Sequence, residues 1–231
     1  MYIKLSLTLF IITVSLFAQK PDPEVILENV KKEFEKIDDY QVDVRIKVDV
    51  EFLKMPERQA KIYYKKPDKL QIESDNFAML PKSGLNFSPL GFLSYKYTAF
   101  YEKEDTINGR SVSVVKVIPI EANADVILST FWIDTERNLI LKIESSRKPQ
   151  GTFIIDLDYL KTKGNFWLPS SMVFTFSLEP GMLPGRIAEE LYKGNKQDDE
   201  AKKGSVYLFY SDYKVNQGLP DSLFEQKDSK K

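Results

Sequence analysis

Asp156 and Asp158 are carboxylates whose spacing could do chemistry. Two residues apart in an extended segment, their side chains leave the backbone on the same side. Such a pair could share acid and base work on a glycan. Both alternate with Ile155, Leu157 and Tyr159, however, and that pattern places them on the wet face of a half-buried strand. Glu189 and Glu190 are adjacent in a short helical segment and read as solvent-facing. Tyr63, Tyr64, Tyr95, Tyr97 and Tyr101 could stack on sugars, but strand aromatics ordinarily serve packing. The chain has no His and no Cys. Ser-His and Cys-His nucleophile pairs, thiolate chemistry, disulfides, haem and the common zinc sites are thereby excluded. The reading is of a protein that is not an enzyme, with no cofactor and no metal.

The elements that remain must then serve binding. The 231 residues suit one large all-β or α+β domain, and 42% hydrophobic with 29% charged residues allow a sizeable core. Fifteen Phe and twelve Tyr supply both strands and an apolar groove. Lys and Arg total 33 against 34 Asp and Glu, and no basic block is interleaved with aromatics. Nucleic acid is therefore not expected as a partner.

The N-terminus reads as a secretory signal peptide, residues 1–18. Lys4 supplies the basic start, residues 5–17 form an apolar run, and Ala18 is a small residue at the exit. The run is short for a membrane span. Cleavage near Ala18 would send the mature chain to the periplasm with a net charge of −2, since only Lys4 is lost. With no Cys to acylate, any lipid it handles is held non-covalently.

Along the mature chain, Asp22 and Pro23 suit the N-cap and first position of a helix over 22–38. Its apolar residues would be Val25, Ile26, Val30, Phe34 and Ile37. Period-2 alternation then runs from Tyr40 through Val42, Val44, Ile46, Val48 and Val50 to Phe52, with charged or polar residues between. That predicts a long strand, apolar on one face, in an antiparallel sheet. Further strands are expected at 58–65, with Ile62 and Tyr64 on one side, and at 69–74, with Leu70 and Ile72. Segment 77–92 breaks the alternation with Pro and Gly among apolar residues, and such a loop is often functional. A hairpin around Asn108-Gly109 joins 95–103 to 110–120. Strands at 128–134, 139–145, 152–159, 167–178 and 205–214 complete nine or ten. Residues 179–204 form an insertion, with a short helix at 187–192 and a solvated stretch at 193–204. One domain, 19–224, is followed by a polar tail, 225–231.

Several of these segments resemble a family. Lys65-Lys66-Pro67-Asp68-Lys69-Leu70, followed by Phe77-Ala78-Met79-Leu80-Pro81, is similar to an early strand pair of the periplasmic lipoprotein carriers related to LolA. Phe131-Trp132-Ile133-Asp134 with Leu139-Ile140-Leu141-Lys142-Ile143 resembles a later pair. So do the stretch 151–159 running into Phe166-Trp167-Leu168-Pro169-Ser170 and the closing Tyr213-Lys214-Val215-Asn216. The resemblance implies an incomplete antiparallel β-barrel with helices covering an apolar cavity. It implies a monomeric carrier of acyl lipid or lipoprotein cargo toward the outer membrane, working with a membrane-bound donor or acceptor protein. An envelope sensor or protein-docking module on the same fold is the alternative. The apolar strand face could be a packed core or a cavity wall, and the resemblance favours the wall. Wall and lid would comprise Val30, Phe34, Val42, Val44, Ile46, Val48, Val50, Ile62, Tyr64, Leu70, Ile72, Phe77, Met79, Leu80, Leu90 and Phe92. The family's inward-pointing Arg on an early strand is not matched by Arg45, which falls among the polar positions of its strand.

Overall fold

The computed structural model describes residues 20–50, 56–74, 93, 96–121, 126–147, 151–178 and 202–225. The expected signal peptide, the segment 77–92, the short helix at 187–192 and the tail beyond residue 225 lie outside these residues.

Helix α1 (Pro23–Phe34) begins as its sequence dictates, with the Asp22 carboxylate accepting the Glu24 N–H at 2.9 Å and Pro23 in the first turn. It ends one turn earlier than its apolar spacing suggests. The Glu35 carbonyl accepts from the Lys66 ammonium, and the Lys36 carbonyl accepts the Asn216 side-chain amide at 3.0 Å. Those carbonyls are thus committed to other parts of the chain, and Ile37, with its N–H on the Phe34 carbonyl, is buried outside the helix. The buried stripe is Ile26, Leu27 and Val30, while Val25 is 55% exposed. Val25 lies about 200° round the helix from Leu27, the most buried of the three, and is left outside.

Ten antiparallel strands form one sheet among the described residues. They are β1 (Asp39–Val50), β2 (Arg58–Lys65), β3 (Lys69–Glu73), β4 (Tyr97–Ile107), β5 (Arg110–Pro119), β6 (Val126–Asp134), β7 (Leu139–Arg147), β8 (Gly151–Lys161), β9 (Trp167–Leu178) and β10 (Lys202–Val215). The order is β3-β2-β1-β10-β9-β8-β7-β6-β5-β4. The first strand therefore pairs with the last, and β3 and β4 are left as the sheet's two edges. The sheet is a half-open β-barrel with α1 against its inner face. β4 and β10 run furthest beyond what alternation predicts. β4 continues to Ile107 through the charged stretch 102–105, since β5 pairs with its backbone whatever the side chains, and a bulge at 101–103 absorbs the change. β10 starts at Lys202, so Gly204, expected in a solvated stretch, is buried against Val50 and Phe176. A Cβ there would lie 2.7 Å from the Phe176 ring, which only glycine avoids.

One end of the sheet is closed by short turns. Asn108 and Gly109 both take positive φ, 50° and 77°, as a two-residue hairpin demands. The other turns at this end are residues 66–68, 135–138 and 162–166. Here too the start of β1 is tied to the residues that follow β10. The buried Asp39 carboxylate accepts three backbone N–H groups, from Gln217 at 2.9 Å, Gly218 at 2.8 Å and Leu219 at 3.2 Å. Asn216 completes the knot by accepting the Asp38 N–H at 2.7 Å on its side chain and donating its own N–H to the Asp39 carbonyl at 2.8 Å. Beyond it, Asp221 takes Lys65 at 2.8 Å and Lys69 at 3.0 Å. Hydrogen bonds from Lys65 and then Lys69 hold its carboxyl down to about 2.

Asp39→Ala removes the acceptor of three part-buried backbone N–H groups, and should cost about 2 kcal/mol in urea unfolding. The Asp221 clasp behaves differently with pH. Its folded pKa is depressed, so its contribution is complete above the ordinary carboxylate value and is lost as pH falls through about 2. A carboxyl carbon titration followed by NMR should give that midpoint, and Lys65→Met should move it upward.

Candidate functional site

The inner face of the sheet is built by alternation carried across strands. On β1 the even positions from Tyr40 to Val50 point inward, and Val42, Val44 and Ile46 are essentially inaccessible. Register then fixes the neighbours. Val44 lies opposite Ala60 of β2 and Tyr210 of β10, Ile46 opposite Leu208, and Val48 opposite Val206. β10 in turn aligns Val206 with Phe174 and Leu208 with Met172, and β8 adds Phe153, Ile155 and Leu157. With Ile26, Leu27 and Val30 of α1, and Phe131, Ile133 and Ile143 from β6 and β7, these side chains form one continuous apolar cluster.

That cluster is not covered evenly. Val48, Val206, Phe174 and Phe176 point inward yet are only half-buried, as are Leu70 and Ile72 toward the β3 edge. Phe153, Phe174 and Phe176 make a run of rings 5.3 and 5.5 Å apart. The turn-closed end carries tyrosines instead. Tyr40 stacks on Tyr64 at 5.1 Å and meets Tyr213 edge-on at 5.8 Å, and Tyr210 stacks on Tyr213 at 6.3 Å. A bulge in β10, with Asp212 at φ 56°, allows Tyr210 and Tyr213 both to face inward. Burial raises the phenols of Tyr40, Tyr159, Tyr210 and Tyr213 well above the usual tyrosine range. Beside them, between the last turn of α1 and β7–β9, lies a cleft lined by Val30, Phe34, Leu139, Ile140, Tyr159 and Trp167. Its volume is about 10 Å³, room for one water.

The residues expected from sequence divide into three sets. Val30, Val42, Val44, Ile46, Val50, Ile62 and Tyr64 are buried. Phe34, Val48, Leu70 and Ile72 are half-buried. Phe77, Met79, Leu80, Leu90 and Phe92 lie outside the described residues, although Leu93, just beyond them, is buried in the same cluster. Sequence reasoning missed the rest of the wall, carried by the strands next to β1: Phe153, Phe174, Phe176, Val206, Tyr210 and Tyr213. The alternation in 172–176 and 206–210 carried the signal, but not which face joined that of β1.

The outer face holds the polar candidates. Arg45 points outward, paired with Glu57 at 3.1 Å and lying 4.2 Å over the Phe209 ring. Asp156 and Asp158 are exposed on that same side, and Asp158 accepts the Ser171 hydroxyl at 3.1 Å. Desolvation raises the Asp156 carboxyl, with Lys142 opposing and Asp158 adding to the shift. Among the described residues no three Asp or Glu side chains gather as a metal site would require.

No protein-family model matches the chain, and no curated protein does. Solved structures do. A proposed outer membrane lipoprotein-sorting protein domain from Vibrio parahaemolyticus aligns over 88% of this chain and 97% of its own, at 13% identity and a TM-score of 0.58. A DUF1329 family protein from Desulfovibrio piger aligns over 89% and 98%, at 14% identity and 0.60. A LolA superfamily protein from Nitrosomonas europaea aligns over 88% and 97%, at 13% identity and 0.55. Identities this low speak for architecture alone, and in architecture the chain is a LolA-like half-barrel.

Proposed function

We propose that this protein is a non-enzymatic periplasmic carrier that holds the acyl chains of lipids or lipoproteins against its inner face on their way to the outer membrane. One observation carries the reading. The inner faces of β1, β2, β8, β9 and β10 and the inner side of α1 form a continuous apolar surface, part of which is only half-buried. Likeness of fold to a lipoprotein-sorting domain supports it. Affinity would come from burying methylenes at about 0.8 kcal/mol each, so ten of them supply roughly 8 kcal/mol before the cost of making room.

Room must be made, because Val30 and Leu27 of α1 occupy the inner face in this structure. α1 is held in its last turn by Lys31, whose ammonium donates to the Tyr97 hydroxyl at 3.0 Å. With the residues after it tied to Lys66 and Asn216, α1 could swing on that end while an incoming chain replaces its apolar stripe in kind. The proposed wall is Val30, Phe34, Val42, Val44, Ile46, Val48, Val50, Ile62, Tyr64, Leu70 and Ile72, joined by Phe174, Phe176 and Val206. Phe77, Met79, Leu80, Leu90 and Phe92 are proposed to add to it from the segment linking the two sheet edges. A second reading, docking of a protein partner or envelope sensing, draws on Phe100, Ile118 and Ile120, which are 51%, 42% and 64% exposed at the β4 edge.

Native mass spectrometry of the mature protein, purified from the periplasm without detergent, should show a bound acyl-lipid mass that organic extraction removes. Val48→Asp places a charge on the half-buried wall and should reduce acyl-chain binding at least about tenfold while circular dichroism stays unchanged. Failure of the purified, delipidated protein to take up any added fatty acid or lipopeptide would favour the docking reading.

A further inference from the structure

The inner face carries a cation that bare hydrocarbon does not call for. Arg147 is the last residue of β7, at the end away from the short turns, and alternation puts it on the same face as Ile143 and Ser145. Phe153 of β8 lies opposite Ser145. The Arg147 side chain folds back over that ring, with the guanidinium carbon 5.3 Å from the ring centre and Nε buried. Phe153 stands 5.3 Å from Phe174, and Phe174 5.5 Å from Phe176, so a guanidinium heads the run of three rings.

Register carries the row further. Phe174 lies opposite Val206 of β10, and Val206 opposite Val48 of β1. Phe174, Phe176, Val206 and Val48 are all half-buried. From β7 to β1 is four strand spacings, about 19 Å measured along the sheet, which is the reach of an extended palmitoyl chain.

Charge on this wall has one sign. At this end the described inner positions of β1, β2 and β7 to β9 include Arg58 and Arg147 and no Asp or Glu. Next to Arg147 on the same face stand the hydroxyls of Ser129 and Ser145, hydrogen-bonded to each other at 2.9 Å. A guanidinium set on an apolar wall attracts an anion more strongly than one in water. Its flat fork matches the oxygens of a carboxylate or a phosphate, and it can present that fork while stacked on a ring. A neutral chain gains nothing from it. An anionic amphiphile fits both parts, its head on the guanidinium and its chain down the row.

We propose that Arg147 binds the anionic headgroup, carboxylate or phosphate, of a long-chain amphiphile whose chain lies along Phe153, Phe174, Phe176, Val206 and Val48. The inference rests on the acyl-carrier reading. Within it, the cation selects charged lipids over neutral ones and sets which way the chain lies.

The test uses delipidated mature protein at mildly alkaline pH and four probes: palmitate, hexadecyl phosphate, uncharged hexadecanol and inorganic phosphate. Wild type should bind palmitate and hexadecyl phosphate at least about tenfold more tightly than hexadecanol, the worth of one charge-assisted contact. Arg147→Gln should bind the three chains about equally, with hexadecanol affinity and circular dichroism unchanged. Arg147→Lys should keep part of the preference. Lys142→Gln, which removes the same charge from the outer side of β7, should keep all of it. A wild type that binds hexadecanol as tightly as the charged chains overturns the proposal, and so does an Arg147→Gln variant that retains the preference. In both cases the carrier reading stands. Inorganic phosphate binding as tightly as hexadecyl phosphate also overturns it, because the site would then hold an ion and not a lipid head. If none of the chains binds, the carrier reading fails and this inference falls with it.

Discussion

Asp39 buries a carboxylate at the point where the first strand begins and the last one ends, and satisfies it entirely with backbone N–H groups of residues 217–219. Most other features follow from that contact. It holds β1 beside β10, two strands separated by nearly the whole domain in sequence, and so makes a chain-ordered meander into a sheet whose edges are β3 and β4. A pairing of such long sequence separation carries a large loop-closure cost. A charged acceptor with three donors is a strong enough interaction to offset part of it. Asn216 and the Asp221 clasp extend the same joint to α1 and to the β2–β3 turn.

Once β1 and β10 are neighbours, the inner face is determined. Each strand contributes every second residue, and the pairings fix which neighbour each one meets. The Val48–Val206–Phe174 row and the Val44–Tyr210 pair are results of register. Bulges supply the exceptions. The one in β10 brings Tyr213 to the inner face beside Tyr210, and that is how tyrosines come to cluster at the turn-closed end.

The face so made serves two demands that pull against each other. Core packing favours complete cover, and Val42, Val44 and Ile46 have it. Ligand binding favours apolar surface that is available, and this is found in the half-buried valine and phenylalanine side chains toward the other end. The same residue types meet both demands. An apolar strand face therefore cannot be identified from composition as core or as cavity wall.

Much of this was legible in the residues themselves. Alternation from Tyr40 to Val50 marks a strand with one dry face, Asp22-Pro23 marks the start of α1, Asn108-Gly109 marks a hairpin, and the absence of His and Cys excludes Ser-His and Cys-His nucleophile pairs. Each is a short-range signal, set by backbone sterics or by side-chain chemistry within a few positions. Arg45 and Asp156 likewise declare their outward direction by period alone. The early end of α1, the burial of Gly204, the adjoining row of Phe174, Phe176 and Val206, and the meeting of Tyr40 and Tyr210 with Tyr213 were not legible. All depend on which strand lies beside which. That is decided by contacts between residues about 170 positions apart, for which a single sequence carries no local signature.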